Sequence, residues 1–558
     1  MPLSKLNQEQ YAAATAPSGK NLIIASAGTG KTSTIVGRIS YLLQSGISPD
    51  QILLLTFTNK ASAEMVERLA QFFGKEKAMM IKAGTFHAVS YKWLKDSGEK
   101  IILKQPTEIK TLFRSVYEKR QFHHNDAKGA LSSAYLYDLY SLFQNDAVDD
   151  FKKWVVEKNQ NNEPFAEIYQ DIIDEFEELK SSLGFVSFND LLITMRERLR
   201  NGLASPFKEV LIDEFQDTNP LQNSLIEAIN SDSLFCVGDY DQSIYAFNGA
   251  KIEIIAGFVN RYDNSKLFSL DKNYRSSAPI LSLANRVISN NERIYPKELK
   301  VVKSGHFPPP ALLVYDELYL QYEGIAKLIA NSKNPKNEIA VIFRNNSSAD
   351  GIEAMLREHK IPSKRKGSSS LFDTKEIKII LDIFTLFLNP KDLLAFIHIF
   401  EYGQGIGAAI ARELHTALYK LGHKNPIEGI LNPDKEVKIF EQTAKNYQLG
   451  LFEELLPATN LKTRFKELGF DKNLLENPVL THPKLNNDSA RFINMFYTLA
   501  SHFPSTKTPL KIINYIANSE LFKYVVEKLA TQRATKKDKT IDEKLKKEAY
   551  ERIEAKVD

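Results

Sequence analysis

Short apolar runs alternate with stretches of helical periodicity along the first half of the chain. Five of these runs occupy residues 22–25, 52–56, 210–212, 234–237 and 267–270. Runs of this length between helical patterns are typical of strands that are buried on both faces of a parallel sheet. A second set, at residues 311–315 and 340–343, predicts further strands later in the chain. The pattern therefore predicts an α/β protein with two sheet domains.

Helices are predicted between and after the two sets of strands. Residues 96–187 lack comparable apolar runs and carry aromatic and charged residues at helical spacing, which predicts a helical insertion. After Pro390 the pattern is again helical and polar, and three glycines at 403, 405 and 407 mark one turn. The stretch from residue 534 onward is highly charged, which predicts a solvated helix or a disordered tail.

Bulk properties narrow the class of protein without choosing a function. A chain of 558 residues is too long for one hydrophobic core, and a formal net charge of +4 neither requires nor excludes nucleic acid. The single cysteine, Cys236, lies in an apolar run and is predicted to be a core residue, so a disulfide framework is excluded. The polar N-terminus and the short apolar stretch at 377–388 fit neither a signal peptide nor a membrane span. We expect a soluble, cytoplasmic protein.

A glycine-rich turn follows the first predicted strand and opens a helix. Its residues are Ala25, Ser26, Ala27, Gly28, Thr29, Gly30, Lys31 and Thr32. In such a P-loop the backbone amides and the helix N-terminus hold phosphates, the lysine reaches the β and γ oxygens, and the threonine hydroxyl binds Mg²⁺. Ala25 stands where the usual motif has its first glycine. The turn predicts a site for ATP and Mg²⁺.

An acidic sequence, DEFQD, follows the predicted strand at 210–212. Asp213 is placed to bind the metal directly or through water, and Glu214 can accept a proton from the attacking water. An isolated acidic pair after a strand is as often a solvated turn. Beside a P-loop, the pair favours hydrolysis of a nucleoside triphosphate.

The order of these motifs resembles superfamily-one helicases of the UvrD/Rep/PcrA group. GTGKT is followed by DEFQD and then by VGDYDQSIYAFNGA, and the resemblance extends over residues 4–410. It implies P-loop NTPase (RecA-like) motor domains with parallel sheets and helical insertions. It also implies that Gln10 reads the adenine edge and that Tyr274 stacks on the adenine. Finally, it implies that Gln242 and Arg275 contact the γ-phosphate, so that Lys31, Glu214, Gln242 and Arg275 form the catalytic set.

The resemblance also implies a division into four parts. Residues 1–95 and 188–275 would form the first motor domain with the ATP site, and residues 96–187 would be an accessory helical insertion. Residues 276–397 would begin the second motor domain, and residues 398–558 would form a helical accessory domain.

Candidate DNA contacts lie where predicted strands end. Single strands are bound by aromatic faces beside polar contacts, and the candidates are Phe57, Thr58, Asn59, His87, Tyr245 and Phe247. Taken alone, such aromatics are more often core residues, but the resemblance favours base contacts for Phe57 and Phe247. Phe247 stands where relatives usually carry tryptophan, and Asn248 where many carry arginine. The glycine turn at 403–407 resembles a hairpin that contacts duplex DNA, although an ordinary helix-to-helix turn fits it as well.

Two blocks of the family have no counterpart after residue 400, namely one like TVHxxKGLEF and a later arginine-rich block. We therefore expect the second motor domain to be C-terminally incomplete. One hypothesis is an ATP-dependent 3′–5′ DNA helicase that acts on single strands and single/double-strand junctions in DNA repair or replication. The alternative is a truncated or degenerate ATP-gated module that binds single-stranded DNA with little turnover. Nothing in the sequence supports a third function, a helicase–nuclease subunit.

Overall fold

A computed structural model describes residues 2–120, 130–295, 297, 299–366, 372, 374–440, 464–506, 508–535 and 540–557. In these ranges the strands are β1 (Lys20–Ala25), β2 (Ile52–Thr56), β3 (Lys82–Thr85), β4 (Ile102–Leu103), β5 (Phe185–Val186), β6 (Glu209–Ile212), β7 (Ser233–Gly238), β8 (Lys266–Leu270), β9 (Lys272–Asn273) and β10 (Lys300–Val301).

The described helices outnumber the strands and cover the rest of the fold. The α-helices are α1 (Gln8–Ala14), α2 (Lys31–Gln44), α3 (Asn59–Phe73), α4 (Lys75–Met80), α5 (Phe86–Asp96), α6 (Pro106–Tyr117), α7 (Ser133–Asp146), α8 (Phe151–Lys158), α9 (Ala166–Ser182), α10 (Phe188–Arg200), α11 (Pro220–Ile229), α12 (Ile252–Ala256), α13 (Phe258–Arg261), α14 (Ala278–Ile288), α15 (Leu318–Asn331), α16 (Asn346–Glu358), α17 (Lys375–Leu388), α18 (Leu393–Phe400), α19 (Ala408–Leu421), α20 (Pro426–Leu431), α21 (Lys472–Leu475), α22 (Asn487–Ser501), α23 (Pro509–Asn518), α24 (Glu520–Ala534) and α25 (Glu543–Val557). Short 3-10 helices occupy Pro2–Lys5, Pro49–Gln51, Gln160–Phe165, Phe215–Asp217, Tyr240–Gln242, Ala246–Asn248, Lys336–Glu338, Lys466–Leu468 and Pro478–Thr481.

Six of the strands form one parallel sheet in the order β3-β2-β6-β7-β1-β8. The five strands predicted in the first half of the chain are all present, and the predicted core position of Cys236 is confirmed because its side chain is buried. The sequence missed β3, a strand whose only buried residue is Gly84 and which therefore has no apolar run. All six strands end at the same edge of the sheet, so the loops after them meet there.

Alternate side chains of the four central strands, β1, β2, β6 and β7, enter two separate cores, one on each face of the sheet. On one face Leu22 and Ile24 pack in a cluster with Val210, whereas on the other face Ile23 packs in a cluster with Phe235. A strand that is buried on both faces favours apolar residues at successive positions, except where a polar side chain has a buried partner, as Glu209 does. This preference explains why the sequence shows continuous runs instead of alternation.

A third core lies among the helices and joins two distant parts of the sequence. Phe113 and Phe176, from α6 and α9, belong to the same buried cluster as Phe396 and Phe496, from α18 and α22. The stretch predicted as a helical insertion therefore shares its core with helices that follow residue 390. The domain boundaries themselves stay predictions.

The glycine turn at residues 403–407 packs against this third core. A Cβ atom at Gly403 would lie 2.9 Å from the Phe492 ring, and Gly405 has a φ of +81°. Both positions require glycine for reasons internal to the protein. The contact with duplex DNA stays a prediction.

The prediction of strands at residues 311–315 and 340–343 is wrong for the described structure, which assigns neither segment to a strand. Leu312 is 89% exposed and Ile342 is 94% exposed, although Val341 packs beside α15 and α16. An apolar run indicates a strand only where neighbouring strands pair with it and both faces are covered. Neither condition can be read from the run itself.

The charged stretch from residue 534 contains the mostly exposed helix α25, as one of the two predicted alternatives requires. Its Lys556 and Arg533 of α24 each lie 2.7 Å from the buried carboxylate of Glu376 in α17. Arg533 therefore has a structural partner within the helical region. Within the described ranges, the apolar stretches of the helices are all too short to cross a membrane.

A fully buried ion pair fixes the helix after the P-loop to the strand before the acidic motif. Arg38 of α2 donates from Nε to Glu209 of β6 at 2.9 Å and from a terminal nitrogen to its second carboxylate oxygen at 3.2 Å. Both side chains are fully shielded from solvent. Arg38 also donates to the carbonyl of Ala16, which precedes β1. Two charges without water are stable only while both remain paired.

We expect Arg38→Met to lower the free energy of unfolding by about 3 to 5 kcal/mol, because it leaves Glu209 as an unpaired buried charge. The measurement is urea unfolding followed by Trp93 fluorescence in a Trp154→Phe background. The chain has two tryptophans, and the ring of Trp93 meets that of Phe207 edge-on at 5.1 Å beside the sheet. The control is Lys60→Ala, which removes one partner of the exposed Lys60–Glu64 pair of α3 and should cost less than about 1 kcal/mol. Equal losses in the two variants would contradict the prediction.

Candidate nucleotide site and adjoining cavity

The predicted P-loop connects β1 to α2 in a tight turn. Gly28 and Gly30 have φ angles of +80° and +88°, which L side chains rarely adopt, and Thr29 donates from its hydroxyl to the Ser26 carbonyl at 2.7 Å. The residue before α2 is Gly30, so no side chain of the described chain caps this helix. The first backbone N–H groups of α2, beside Lys31 and Thr32, are therefore free to bind an anion.

The acidic motif lies opposite the P-loop at the same edge of the sheet. β6 ends at Ile212, Asp213 follows, and Glu214 adopts a left-handed conformation with a φ of +53°. This turn directs the Glu214 carboxylate to the ammonium group of Lys31, with which it forms an ion pair. The structure thus brings together the lysine and the carboxylate that the sequence predicts for phosphate binding and proton transfer.

Two buried oxygen atoms, one in the P-loop and one on Asp213, bear on the predicted Mg²⁺ site. In the described structure the Ser26 hydroxyl and one carboxylate oxygen of Asp213 are buried and lack a hydrogen-bond partner. Burial, together with the nearby Glu214 carboxylate, raises the pKa of Asp213 to about 6. Because a cation would relieve this crowding of negative charge, Asp213 and Thr32 suit Mg²⁺, which prefers oxygen ligands and few protein groups.

The predicted adenine and γ-phosphate residues surround the P-loop. Asn273 donates to the Ala27 carbonyl at 2.8 Å, and the Tyr274 amide donates to the Gly28 carbonyl at 2.9 Å. A Cβ atom at Gly28 would lie 2.6 Å from that of Arg275, so the segment after β8 packs directly on the loop. Tyr274 and Arg275 are both exposed there. Their position is compatible with the predicted contacts, which stay predictions.

Gln10 lies beside the P-loop, but its amide already has protein partners. Its nitrogen donates to the Thr29 carbonyl at 2.9 Å, and its oxygen accepts from the Asn7 amide at 3.0 Å. A Cβ atom at Gly30 would lie 2.3 Å from the Gln10 nitrogen, which accounts for glycine at that position. Gln10 therefore supports the P-loop in this structure. Its predicted contact with adenine would require a new arrangement of these bonds.

Gln242 follows β7 and is held by Asp239. The Gln242 nitrogen lies 2.5 Å from one carboxylate oxygen of Asp239, and the ammonium group of Lys297 lies 2.5 Å from the other. Lys297 also lies 2.6 Å from Asp241 and is almost fully buried. Lys297 could not be singled out from the sequence, because a lone lysine between loops has no recognisable pattern.

Three of the predicted DNA-binding aromatics form a continuous cluster. The ring centroids of Phe57 and Tyr245 are 4.6 Å apart, and those of Tyr245 and Phe247 are 5.9 Å apart. Phe247 is 71% exposed, and it lies in contact with the other aromatic rings of the cluster. The cluster offers aromatic faces to solvent within the loops that follow the sheet.

A cavity of about 510 Å³ opens beside this cluster, between the sheet and α7. Its lining includes Phe57, His87, Asp217 and Phe247 from the sheet side, together with Asn145 from α7. Burial lowers the pKa of His87 to about 4, so this imidazole is neutral at physiological pH. The described lining contains amides, hydroxyls and aromatics but neither lysine nor arginine. Such a surface suits a nucleobase better than a phosphate.

The remaining DNA candidates, Thr58 and Asn59, are not among the described residues that line the cavity. Thr58 caps α3 by accepting from the Ala61 amide at 3.1 Å, and Asn59 is exposed at the start of that helix. Sequence reasoning missed Ser141 and Asn145, because nothing in the pattern of α7 links it to strand ends that lie far away in the sequence. Asn189, in the first turn of α10, also lines the cavity.

Two family models together match almost the whole chain. The UvrD/REP helicase N-terminal domain matches residues 6–263, and the UvrD-like helicase C-terminal domain matches residues 268–555. The chain is 30% identical over 433 residues to the ATP-dependent DNA helicase PcrA of Leuconostoc citreum, covering 75% of this chain and 57% of that protein. It is 28% identical over 478 residues to DNA helicase II of Escherichia coli (strain K12), covering 81% of this chain and 60% of that protein. The chain thus spans little more than half the length of these curated relatives.

We expect Asp217→Asn to stabilise the protein at neutral pH. Burial, with the Glu214 carboxylate as a second cause, raises the pKa of Asp217 to about 6 from an ordinary value of 3.8. The folded state then binds this proton more tightly than the unfolded state, so ionisation of Asp217 lowers stability as the pH rises through 6. The variant should be more stable by about 1 to 3 kcal/mol at pH 7.5, and the difference should narrow towards pH 5.

Urea unfolding followed by Trp93 fluorescence at pH 7.5, 6 and 5, without nucleotide, measures this difference. Asp263→Asn, which neutralises an exposed carboxylate, is the control and should change stability little at any of the three values. A difference between Asp217→Asn and the parent chain that stays constant with pH would show that Asp217 titrates normally.

Proposed function

The chain belongs to the UvrD/Rep family of ATP-dependent DNA helicases, and on that premise we propose that it hydrolyses ATP to move 3′ to 5′ along single-stranded DNA and separate duplexes. On the same premise, we propose that the protein is cytoplasmic. Its substrates would be DNA repair or replication intermediates that contain single/double-strand junctions. The direction of movement follows from the family resemblance alone.

One observation carries the proposal: a single five-residue segment serves both sites. Residues 213–217 supply Asp213 and Glu214 to the nucleotide site and Asp217 to the aromatic cavity. In a DNA motor, bound DNA must influence ATP hydrolysis, and ATP hydrolysis must influence DNA binding. A shared segment is the shortest physical route for such an influence.

Hydrolysis would begin with a change of partner for Lys31. The ammonium group pairs with Glu214 in this structure and would move to the β and γ phosphate oxygens of bound ATP. Glu214 is then free to accept a proton from water as the water oxygen attacks the γ-phosphorus. The bond from this phosphorus to the bridging oxygen breaks, and ADP and phosphate leave.

Other residues would stabilise the charge that spreads over the transferred group. Mg²⁺, held by Asp213 and Thr32, neutralises part of the phosphate charge when it is bound. Arg275 and Gln242 would contact the γ-phosphate from the segments after β8 and β7, and Tyr274 offers its ring to the adenine. These roles rest on the family resemblance and on the position of each side chain around the P-loop.

DNA would bind across the aromatic cluster, with a base entering the cavity. Phe57 and Phe247 offer stacking faces, and neutral His87 with the amides of Asn145 and Asn189 can contact base edges. The aspartates in the lining oppose a phosphate at the same place. The DNA backbone would therefore pass along the rim while the bases face inward.

We expect Lys31→Ala and Glu214→Gln to separate nucleotide binding from turnover. Lys31→Ala should raise the Kd for ATP at least tenfold, since a charge-assisted hydrogen bond contributes about 1.5 to 3 kcal/mol. Glu214→Gln should leave the Kd within about threefold and lower kcat by about 10² to 10⁴, the range for loss of a general base. Fluorescent ATP titration and phosphate release measure the two quantities. Lys77→Ala, at an exposed lysine of α4, is the control, and unchanged binding and turnover in Lys31→Ala would refute the assigned site.

We expect Phe57→Ala and Phe247→Ala each to weaken binding of single-stranded DNA by about 1 to 3 kcal/mol, the range for one stacked base. Affinity for ATP without DNA should not change, because neither ring touches the P-loop. Fluorescence anisotropy with a labelled oligonucleotide at one fixed salt concentration measures the effect, since salt alone shifts such affinities strongly. Phe72→Ala, at an exposed phenylalanine of α3, controls for loss of a surface ring. DNA affinity equal to that of the parent chain in both test variants would remove the cluster from the DNA path.

A further inference from the structure

Gln216 lies between the two sites and is buried, with 1% of its surface exposed. Its side-chain nitrogen donates to the Glu214 carboxylate at 2.9 Å and to the Asp217 carboxylate at 3.3 Å. Its side-chain oxygen accepts from the Asp239 amide at 2.8 Å. Because a backbone N–H can only donate, this last bond fixes which end of the Gln216 amide faces Glu214.

The surroundings of Gln216 leave it little freedom to move. A Cβ atom at Gly238 would lie 2.8 Å from the Gln216 oxygen, so the glycine at the end of β7 makes room for this amide. The next residue, Asp239, is held through its carboxylate by Lys297 and Gln242. Gln216 is therefore fixed to the loop that carries Gln242, the predicted γ-phosphate contact. From there its side chain extends to Glu214, the predicted proton acceptor.

The arrangement matters most when nucleotide binds. The Glu214 oxygen that accepts from Gln216 is the one that pairs with Lys31. Once Lys31 turns to phosphate, the hydrogen bond from Gln216 is the remaining side-chain contact that the described structure gives to Glu214. A carboxylate without it could rotate away from the attacking water, and errors of about 1 Å cost about 10²-fold in rate.

We propose that Gln216 is a positioning residue, which aims the Glu214 carboxylate during hydrolysis and links it through Asp217 to the occupancy of the DNA cavity. This inference rests on the proposed function and adds to it the residue through which the two sites communicate. Gln216 would act through Glu214 and not on the phosphate or the attacking water itself.

On its other side, Gln216 contacts Asp217 at the wall of the cavity. One of the Asp217 carboxylate oxygens accepts from Gln216, and the other is buried and has no hydrogen-bond partner among the described residues. Asp217 lines the cavity with Phe57 and Phe247. A base that enters the cavity and turns this carboxylate, so that the carboxylate accepts a hydrogen bond from the base, would change the hydrogen bond between Asp217 and Gln216, and Gln216 would pass the change to Glu214.

The first test is Gln216→Met in the full chain, which keeps the volume of the side chain and removes its donors and acceptor. We expect kcat with saturating single-stranded DNA to fall about 10- to 100-fold while KM for ATP stays within threefold. Affinity for a fluorescent ATP analogue should also stay within threefold. Asn223→Ala removes another buried amide, one that pairs with Glu227 in α11 and lies outside the cavity lining, and serves as the folding control. A kcat equal to that of the parent chain would overturn the positioning role.

The second test measures binding alone. In the parent chain, a non-hydrolysable ATP analogue should change the Kd for an oligonucleotide by about 5- to 150-fold, the usual range for coupled sites. Gln216→Met should reduce that factor to within twofold of one, and Asp217→Ala should reduce it as well. If both act on one path, the double variant should match Gln216→Met alone. Additive effects of the two changes would overturn the link through Asp217.

The outcome for the parent chain separates this inference from the function on which it rests. A parent chain that fails to bind single-stranded DNA, or to hydrolyse ATP, overturns the proposed function and the inference together. A parent chain that does both, with Gln216→Met behaving like it in kcat and in coupling, overturns the role of Gln216 and leaves the proposed function in place.

Discussion

The order of the parallel strands is the constraint on which the rest of the structure depends. Placing β6 and β1 on either side of β7 brings Lys31 to Glu214 across 183 positions of sequence. Glu214 follows the C-terminal end of β6. At the N-terminal end of β6, the buried pair of Arg38 and Glu209 holds α2 against this strand. The helix that follows the P-loop is therefore fixed at two points to the strand that carries the acidic motif. Loss of the Lys31–Glu214 pair or of the Arg38–Glu209 pair would change the distance between the P-loop and the Glu214 carboxylate.

This rigid frame holds a site that is electrostatically unfavourable without its ligands. Asp213, Glu214 and Asp217 lie within five residues, and burial raises the pKa of both aspartates to about 6. The protein thus gives up stability to keep carboxylates crowded beside a single lysine. Sites that must accept a cation and a polyanion commonly carry such a cost, because the ligands themselves supply the missing charge.

The sequence predicted the parts of this frame that depend on local pattern. Continuous apolar runs identified β1, β2, β6, β7 and β8, because most side chains at the centre of such a sheet are covered whichever face they point to. The P-loop and acidic motif were recognisable because glycine, lysine and carboxylate are chemically required at fixed places. By contrast, local pattern could not show that Asn145 lines the cavity or that Leu312 is exposed. Both depend on which elements pack beside these residues in the folded chain. The hydrogen bonds of Gln216 likewise depend on β7 lying beside β6, which no local pattern states.

The short distance between the two candidate sites limits how they can influence each other. The side-chain nitrogen of Gln216 donates to both Glu214 and Asp217. Its side-chain oxygen accepts from the amide of Asp239, in the loop after β7. With all three contacts on one planar amide, a shift towards any partner weakens at least one of the others. If DNA binds as proposed and alters Asp217, the change would extend to Glu214, and nucleotide that draws Lys31 away from Glu214 would in turn change the hydrogen bond between Gln216 and Asp217. Coupling between binding sites is reciprocal by thermodynamic necessity, and here one buried side chain provides a physical route in both directions.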